Sequence, residues 1–131
     1  MVTLFSADRP DENFMQWYGE MKSRCIAQIW AVSSELIDRG VDAVLELGLV
    51  QTRDREDFYR RVDGTDYELR VYLIDTPLSV RRERVKRRNA EQSGTYKMVV
   101  SDEVFEMANG FWQAPDEAEC RDRQIEVITA S

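Results

Sequence analysis

The sequence predicts an α/β fold, layered α/β/α around a mainly parallel sheet. Three observations carry that reading. Apolar and polar residues set out elements in the order α, β, α, β, α, α, β, and such alternation is the mark of parallel strands joined by helices. Val41–Val50 is apolar along nearly its whole length, as expected of a strand buried on both faces. A second strand, Glu68–Asp75, runs directly into a helix through Thr76 and Pro77. With 131 residues, 43% hydrophobic and 33% charged, the chain reads as one α/β domain, residues 1–131, large enough for a core.

The elements follow in order. Residues 1–10 are irregular and end at Pro10. A long helix is expected from Glu12 to Arg39, because Phe14, Tyr18, Met21, Cys25, Ile29, Val32 and Leu36 recur every three or four positions. Gly40 is its stop signal. After the Val41–Val50 strand, Thr52 caps a charged helix reaching Val62, and Asp63-Gly64 makes a turn. Thr76 as N-cap and Pro77 at the first helical position open a basic helix. Asn89–Gly94 is a loop. Ser101, followed by Asp102 and Glu103, caps a helix through Trp112. Pro115–Cys120 reads as an acidic loop, and Gln124–Thr129 as a last short strand.

Charge is unevenly distributed. Arg81–Arg88 holds six basic residues and one acid, so a chain of net charge −7 carries +5 there and −12 elsewhere. Arg81, Arg84 and Arg88, at i, i+3 and i+7, share one helical face, suited to presenting guanidinium groups to an anion such as phosphate. The plainer reading is a solvated basic face laced by pairs such as Glu83–Arg87. An acidic surface everywhere else argues against non-specific nucleic-acid binding, which would have to show strong salt dependence. No apolar run reaches the ~18 residues of a membrane span, and the N-terminus lacks the pattern of a signal peptide. Histidine is absent, which removes histidine-based triads and bases and most zinc sites. The two cysteines, Cys25 and Cys120, form no C-x-x-C pair; Cys25 falls on the apolar helical stripe, and a reduced cytoplasmic setting is expected.

Several segments then fall in a recognisable order: Val44–Val50, Arg53–Glu56, Tyr72–Pro77, Glu83–Glu91, Val100–Phe105 and Phe111–Pro115. Together they resemble the P-loop small-molecule kinases of the AAA-domain ATP-binding type, relatives of zeta-toxin-like and chloramphenicol-phosphotransferase-like kinases. The chain resembles the C-terminal part of that family. The family's opening strand and its Gly-x-x-x-x-Gly-Lys-Ser/Thr loop, whose amides cradle phosphates, have no counterpart here. Gly19 to Ser23 contains a Lys-Ser pair, but it lies inside the long helix and lacks the required glycines. The resemblance therefore implies a truncated P-loop NTPase-like fold lacking the first strand.

The resemblance also implies site roles. Glu46 corresponds to an acidic strand residue near magnesium or substrate, and Arg84 and Arg88 to lid arginines that neutralise a transferred phosphate. Asp75 ends its strand where open α/β sheets bind ligands, with Arg81 and Arg53 as further ligand-binding candidates. Each has a plainer reading: Glu46 as a solvent-facing strand carboxylate paired with Arg53 or the arginine cluster, Asp75 as a turn cap. Trp17, Trp30 and Trp112 read as core or interface aromatics. Two functions stay open: a kinase-like domain without its own ATP-binding loop, acting as a binding or assembly module, and the C-terminal part of an ATP-dependent small-molecule kinase. A third possibility is an unrelated small α/β protein. No metal site is expected, and ATP and magnesium enter only if upstream residues are supplied. In the family the phosphate-loop strand lies between the strands matching Val41–Val50 and Glu68–Asp75. Its loss exposes two strand edges, so a homodimer through the long helix or an exposed sheet edge is expected.

Overall fold

A computed structural model describes residues 12–91 and 99–130. The chain groups into two compact units, Met1–Gly48 and Leu49–Ser131. The expectations for residues 1–10 and for residues 92–94 of the expected Asn89–Gly94 loop fall outside the described residues; Asn89, Ala90 and Glu91 are helical, continuing the helix that begins at Leu78.

The first unit is built on helix α1, Phe14–Asp38. Its 25 residues span roughly 37 Å at 1.5 Å per residue. The end is set by Gly40. The N–H of Gly40 donates to the Ile37 carbonyl (2.9 Å) and that of Val41 to the Leu36 carbonyl (3.1 Å). This double closure needs a left-handed residue at its centre, and Gly40 supplies φ 84° without a Cβ penalty.

The expected apolar stripe of α1 is buried only in part. Met21 on it and Trp17 and Ser33 beside it are buried, Phe14, Cys25, Trp30 and Ile37 are half-buried, and Tyr18, Ile29, Val32 and Leu36 are exposed. Period places residues on a face but cannot say how much of that face finds a partner. Val41–Val50 differs as well: it forms no strand. The segment returns along α1, so that Gly48 comes 4.0 Å from the Lys22 Cε at its Cβ position. Exposure alternates from Asp42 to Gly48, with Ala43, Leu45 and Leu47 half-buried and Val44 96% exposed. A strand exists only by pairing, and no described strand lies beside this segment to complete it.

The second unit begins with α2, Thr52–Asp63. Arg55, Phe58, Tyr59 and Val62, at i, i+3, i+4 and i+7, form its buried face. Thr52 is the first helical residue rather than the cap. Its N–H is met by the side chain of Gln113, at 2.9 Å, so the N-terminus is capped from 61 residues away. Strand β1, Tyr72–Asp75, is half the length expected from the sequence. It pairs in parallel with β2, Glu126–Thr129, in the register Tyr72↔Glu126 to Asp75↔Thr129. The ladder is short because β2 has only four residues.

Helix α3, Leu78–Glu91, follows β1. Its first bond runs from the Arg81 N–H to the Pro77 carbonyl, which makes Pro77 the cap residue, one position later than expected. Helix α4, Asp102–Gly110, is capped by the Ser101 hydroxyl, which accepts from the Val104 N–H, as its sequence suggests. The acidic segment read as a loop contains instead a short helix, α5, Glu117–Asp122, capped by Asp116. The architecture is therefore a mixture of helices and a parallel strand pair. Among the described residues the buried apolar side chains are Trp17, Met21, Phe58, Tyr59 and Val62. No described helix is long and apolar enough to cross a membrane.

Candidate functional site

The C-terminal end of β1 is where this fold offers chemistry. Asp75 ends the strand and is exposed; its carbonyl accepts the N–H of Ala130 at 2.9 Å, which aligns the ends of both strands. Thr76 and Pro77 then turn the chain into α3. Arg81, in the first turn, folds back: its Nε donates to the Thr76 carbonyl at 3.1 Å. The structure thus brings Arg81 beside the strand end that Asp75 terminates. A second Arg81 nitrogen donates to Asn109 Oδ1 at 3.1 Å, tying the same side chain to α4.

Arg84 and Arg88 continue along α3, and the seven-residue rise from Arg81 to Arg88 is about 10 Å. Arg84 is exposed, Arg88 half-buried. Arg88 Nε is buried and has no hydrogen-bond partner among the described residues, an arrangement that costs desolvation free energy until an acceptor is supplied. Arg82 is otherwise engaged. It pairs with Glu106, and its guanidinium lies 5.5 Å from the centre of the Phe105 ring. Asn89 closes the other end of this helix pair by exchanging hydrogen bonds with the Val100 backbone, the Val100 N–H donating at 3.0 Å and the Asn89 amide donating at 2.6 Å. Part of the cationic run therefore serves to dock α4, a role that neither reading of the sequence named.

The other candidates lie on other elements. Arg53 is exposed on the first turn of α2, a separate helix. Glu46 belongs to the first unit, exposed on the outward parity of the unpaired segment rather than inside a strand. The buried-strand environment expected for it is absent, because that strand does not form.

The most tightly built polar cluster was not among the sequence candidates. Arg55 is 5% exposed. It donates from Nε to Glu119 Oε2 at 2.8 Å and from its terminal nitrogens to Glu119 Oε1 (3.2 Å), the Leu49 carbonyl (3.1 Å) and Thr52 Oγ1 (3.3 Å). Tyr59 donates its hydroxyl to Glu119 Oε2 at 2.8 Å. Arg123 covers the Tyr59 ring at 4.3 Å and forks onto Asp63 with two bonds of 2.7 Å. Burial, followed by the hydrogen bond to Glu119 and its charge, pushes the Tyr59 phenol well above its usual range. The Arg123 fork holds the Asp63 carboxyl below its ordinary value. With its donors spent on internal acceptors, Arg55 acts as a fastener between α2 and α5, not as a ligand-binding group. Its signal was present in the sequence: an arginine in phase with Phe58, Tyr59 and Val62 on the apolar face.

The described strand-to-helix junction does not fit a nucleotide's phosphates. In the described junction from strand to helix, Asp75-Thr76-Pro77, there is no glycine to let backbone amides converge, and Pro77 has no N–H to donate. No family model, curated protein or solved structure matches this chain.

Proposed function

We propose that this chain is a P-loop-kinase-like α/β unit without its own ATP-binding loop, working as a binding or assembly module. Its ligand is a small anion held by Arg84 and Arg88, with Arg81 and Asp75 at the strand end setting the entry. The observation that supports this reading is the Asp75–Arg81 junction. A parallel strand pair delivers a cationic helix at the end where open α/β sheets bind ligands, yet the turn between them offers no phosphate-cradling backbone. The buried, unpartnered Nε of Arg88 adds an anion-seeking donor on that helix. The free thiols of Cys25 and Cys120 suit a cytoplasmic setting.

Titration with inorganic pyrophosphate tests the anion arm. Saturable binding that weakens at least ~10-fold in Arg84→Ala/Arg88→Ala, a loss of about 1.4 kcal/mol, supports it. Binding unchanged in that variant, or no binding at all, overturns it.

A second reading, the C-terminal part of an ATP-dependent small-molecule kinase, has its own supporting observation. Val41–Val50 has no strand neighbour among the described residues and β1 has one on a single edge, and the resemblance puts a phosphate-loop strand between their counterparts. Phosphoryl transfer from ATP after adding a polypeptide bearing such a strand and loop would favour this reading over the first.

A further inference from the structure

We propose that the open edge of β1 pairs with the same edge of a second copy, antiparallel, about a two-fold axis through Val71. This names the partner in the assembly reading above and rests on it only for the expectation that the sheet is completed by another chain.

The edge is unusually well prepared. The Val71 and Asp75 carbonyls accept from Glu126 of β2 and from Ala130 just after it. Because backbone direction alternates along a strand, the N–H and C=O groups of Arg70, Tyr72 and Ile74 turn to the other side, where no described strand lies. Tyr72 and Ile74 are 52% and 57% exposed. Exposure alternates without a break from Tyr67 to Ile74, so the extended chain runs well past the four paired residues. The outer edge of β2 offers only four residues. An isolated parallel pair exposed on its apolar positions is not a stable arrangement, and a long unpaired edge is a template for strand addition, with Glu68, Arg70 and Asp75 limiting which registers it accepts.

Self-complementarity selects a second copy and the register. Centred on Val71, the pairing sets Val71 opposite the partner's Val71 and Leu69 opposite the partner's Leu73, both apolar. On the other face Arg70 lies opposite the partner's Tyr72. Centring on Arg70 would oppose like charges. Centring on Tyr72 sets Leu69 against the partner's Asp75, and centring on Leu73 sets Val71 against it. The contact is isologous and closes as a dimer rather than propagating. The result is a four-stranded sheet with β1 in its interior.

The test uses the full chain with Cys25→Ser and Cys120→Ser. In this register Val71 faces its own counterpart in a non-hydrogen-bonded pair, with Cα atoms about 4.5 Å apart, inside the disulfide range. Val71→Cys should therefore yield a disulfide-linked dimer on mild oxidation, while Ile74→Cys, which faces the partner's Glu68, should not. In sedimentation equilibrium the unmodified chain is a dimer. Tyr72→Lys, opposing Arg70 twice, weakens it about tenfold, and Arg70→Glu/Tyr72→Lys restores it by opposing unlike charges. A monomeric chain overturns the proposal. So does a dimer that cross-links through Ile74→Cys but not Val71→Cys, or one indifferent to both charge variants. A monomer that still binds pyrophosphate would leave the anion reading standing, and a dimer that does not would leave the pairing standing.

Discussion

Arg55 and Glu119 meet as a bidentate pair across 64 residues of sequence, and both side chains are nearly withdrawn from water, at 7% and 12% exposure. This pair joins the first helix of the second unit to the short helix near its end. A desolvated guanidinium is tolerable only while its carboxylate is in place.

Glu119→Ala should therefore cost about 3–5 kcal/mol in urea unfolding, since it leaves Arg55 buried and uncompensated. Arg55→Met/Glu119→Leu, which removes both charges, should recover most of that loss. Equal destabilisation by the single and double variants would show that the pair is not desolvated as described.

The pH dependence of stability has a sign at each end. Tyr59 has a raised folded-state value, so its contribution is complete below the ordinary value of 10.0 and is lost as pH rises beyond it. Asp63 has a lowered one, so its contribution is present above its ordinary 3.8 and is lost as pH falls. Compared with the parent chain, Tyr59→Phe should flatten the alkaline limb of the unfolding profile and Asp63→Asn the acid limb. Thermal unfolding across pH 3–11 measures both, and parallel profiles for all three proteins would contradict the assignment.

Gln113 caps α2 from a distant loop, its side chain accepting the Thr52 N–H while its own N–H donates to the Val50 carbonyl at 2.8 Å. Gln113→Ala should cost about 0.5–2 kcal/mol, the range of a lost helix cap. Faster amide exchange at the start of α2 should accompany it. Thr52→Ala, by contrast, leaves the backbone donor intact and should cost less.

Two positions on one face of α1 should respond differently to change. Met21 is buried and Val32 is half exposed to water. Met21→Ala should cost about 2–5 kcal/mol, and Val32→Lys no more than about 0.5 kcal/mol, both read by chemical denaturation. A large loss at Val32 would mean that the exposed stripe is covered in solution.

Local chemistry was legible in the sequence, and non-local partnership was not. Gly40 ends α1 through its backbone freedom and Ser101 opens α4 through its hydroxyl, because a cap is decided within a few residues. Val41–Val50 has the composition of a buried strand but cannot form one alone, and Glu68–Asp75 is paired only over Tyr72–Asp75, where β2 reaches it. The acidic stretch Pro115–Cys120 has the composition of a loop, yet Asp116 caps a short helix over Glu117–Asp122. At the site, the proximity of Asp75 to Arg81 followed from the strand-to-helix turn. The division of labour on α3, with Arg82 docking α4 and Arg88 holding a buried Nε, depends on residues beyond the next loop. The Arg55–Glu119 fastener went unseen because phase on a helix identifies a buried arginine but not its distant acid.

The central proposal is an α/β unit that holds anions without a nucleotide site. Calorimetric titration with Mg·ATP, set beside pyrophosphate at the same ionic strength, tests it most directly. The account predicts pyrophosphate binding and no magnesium-dependent nucleotide heat up to ~1 mM, the weak end of useful affinity. Stoichiometric, magnesium-dependent ATP binding would contradict it, because some backbone other than the Asp75-Thr76-Pro77 junction would then have to cradle the phosphates.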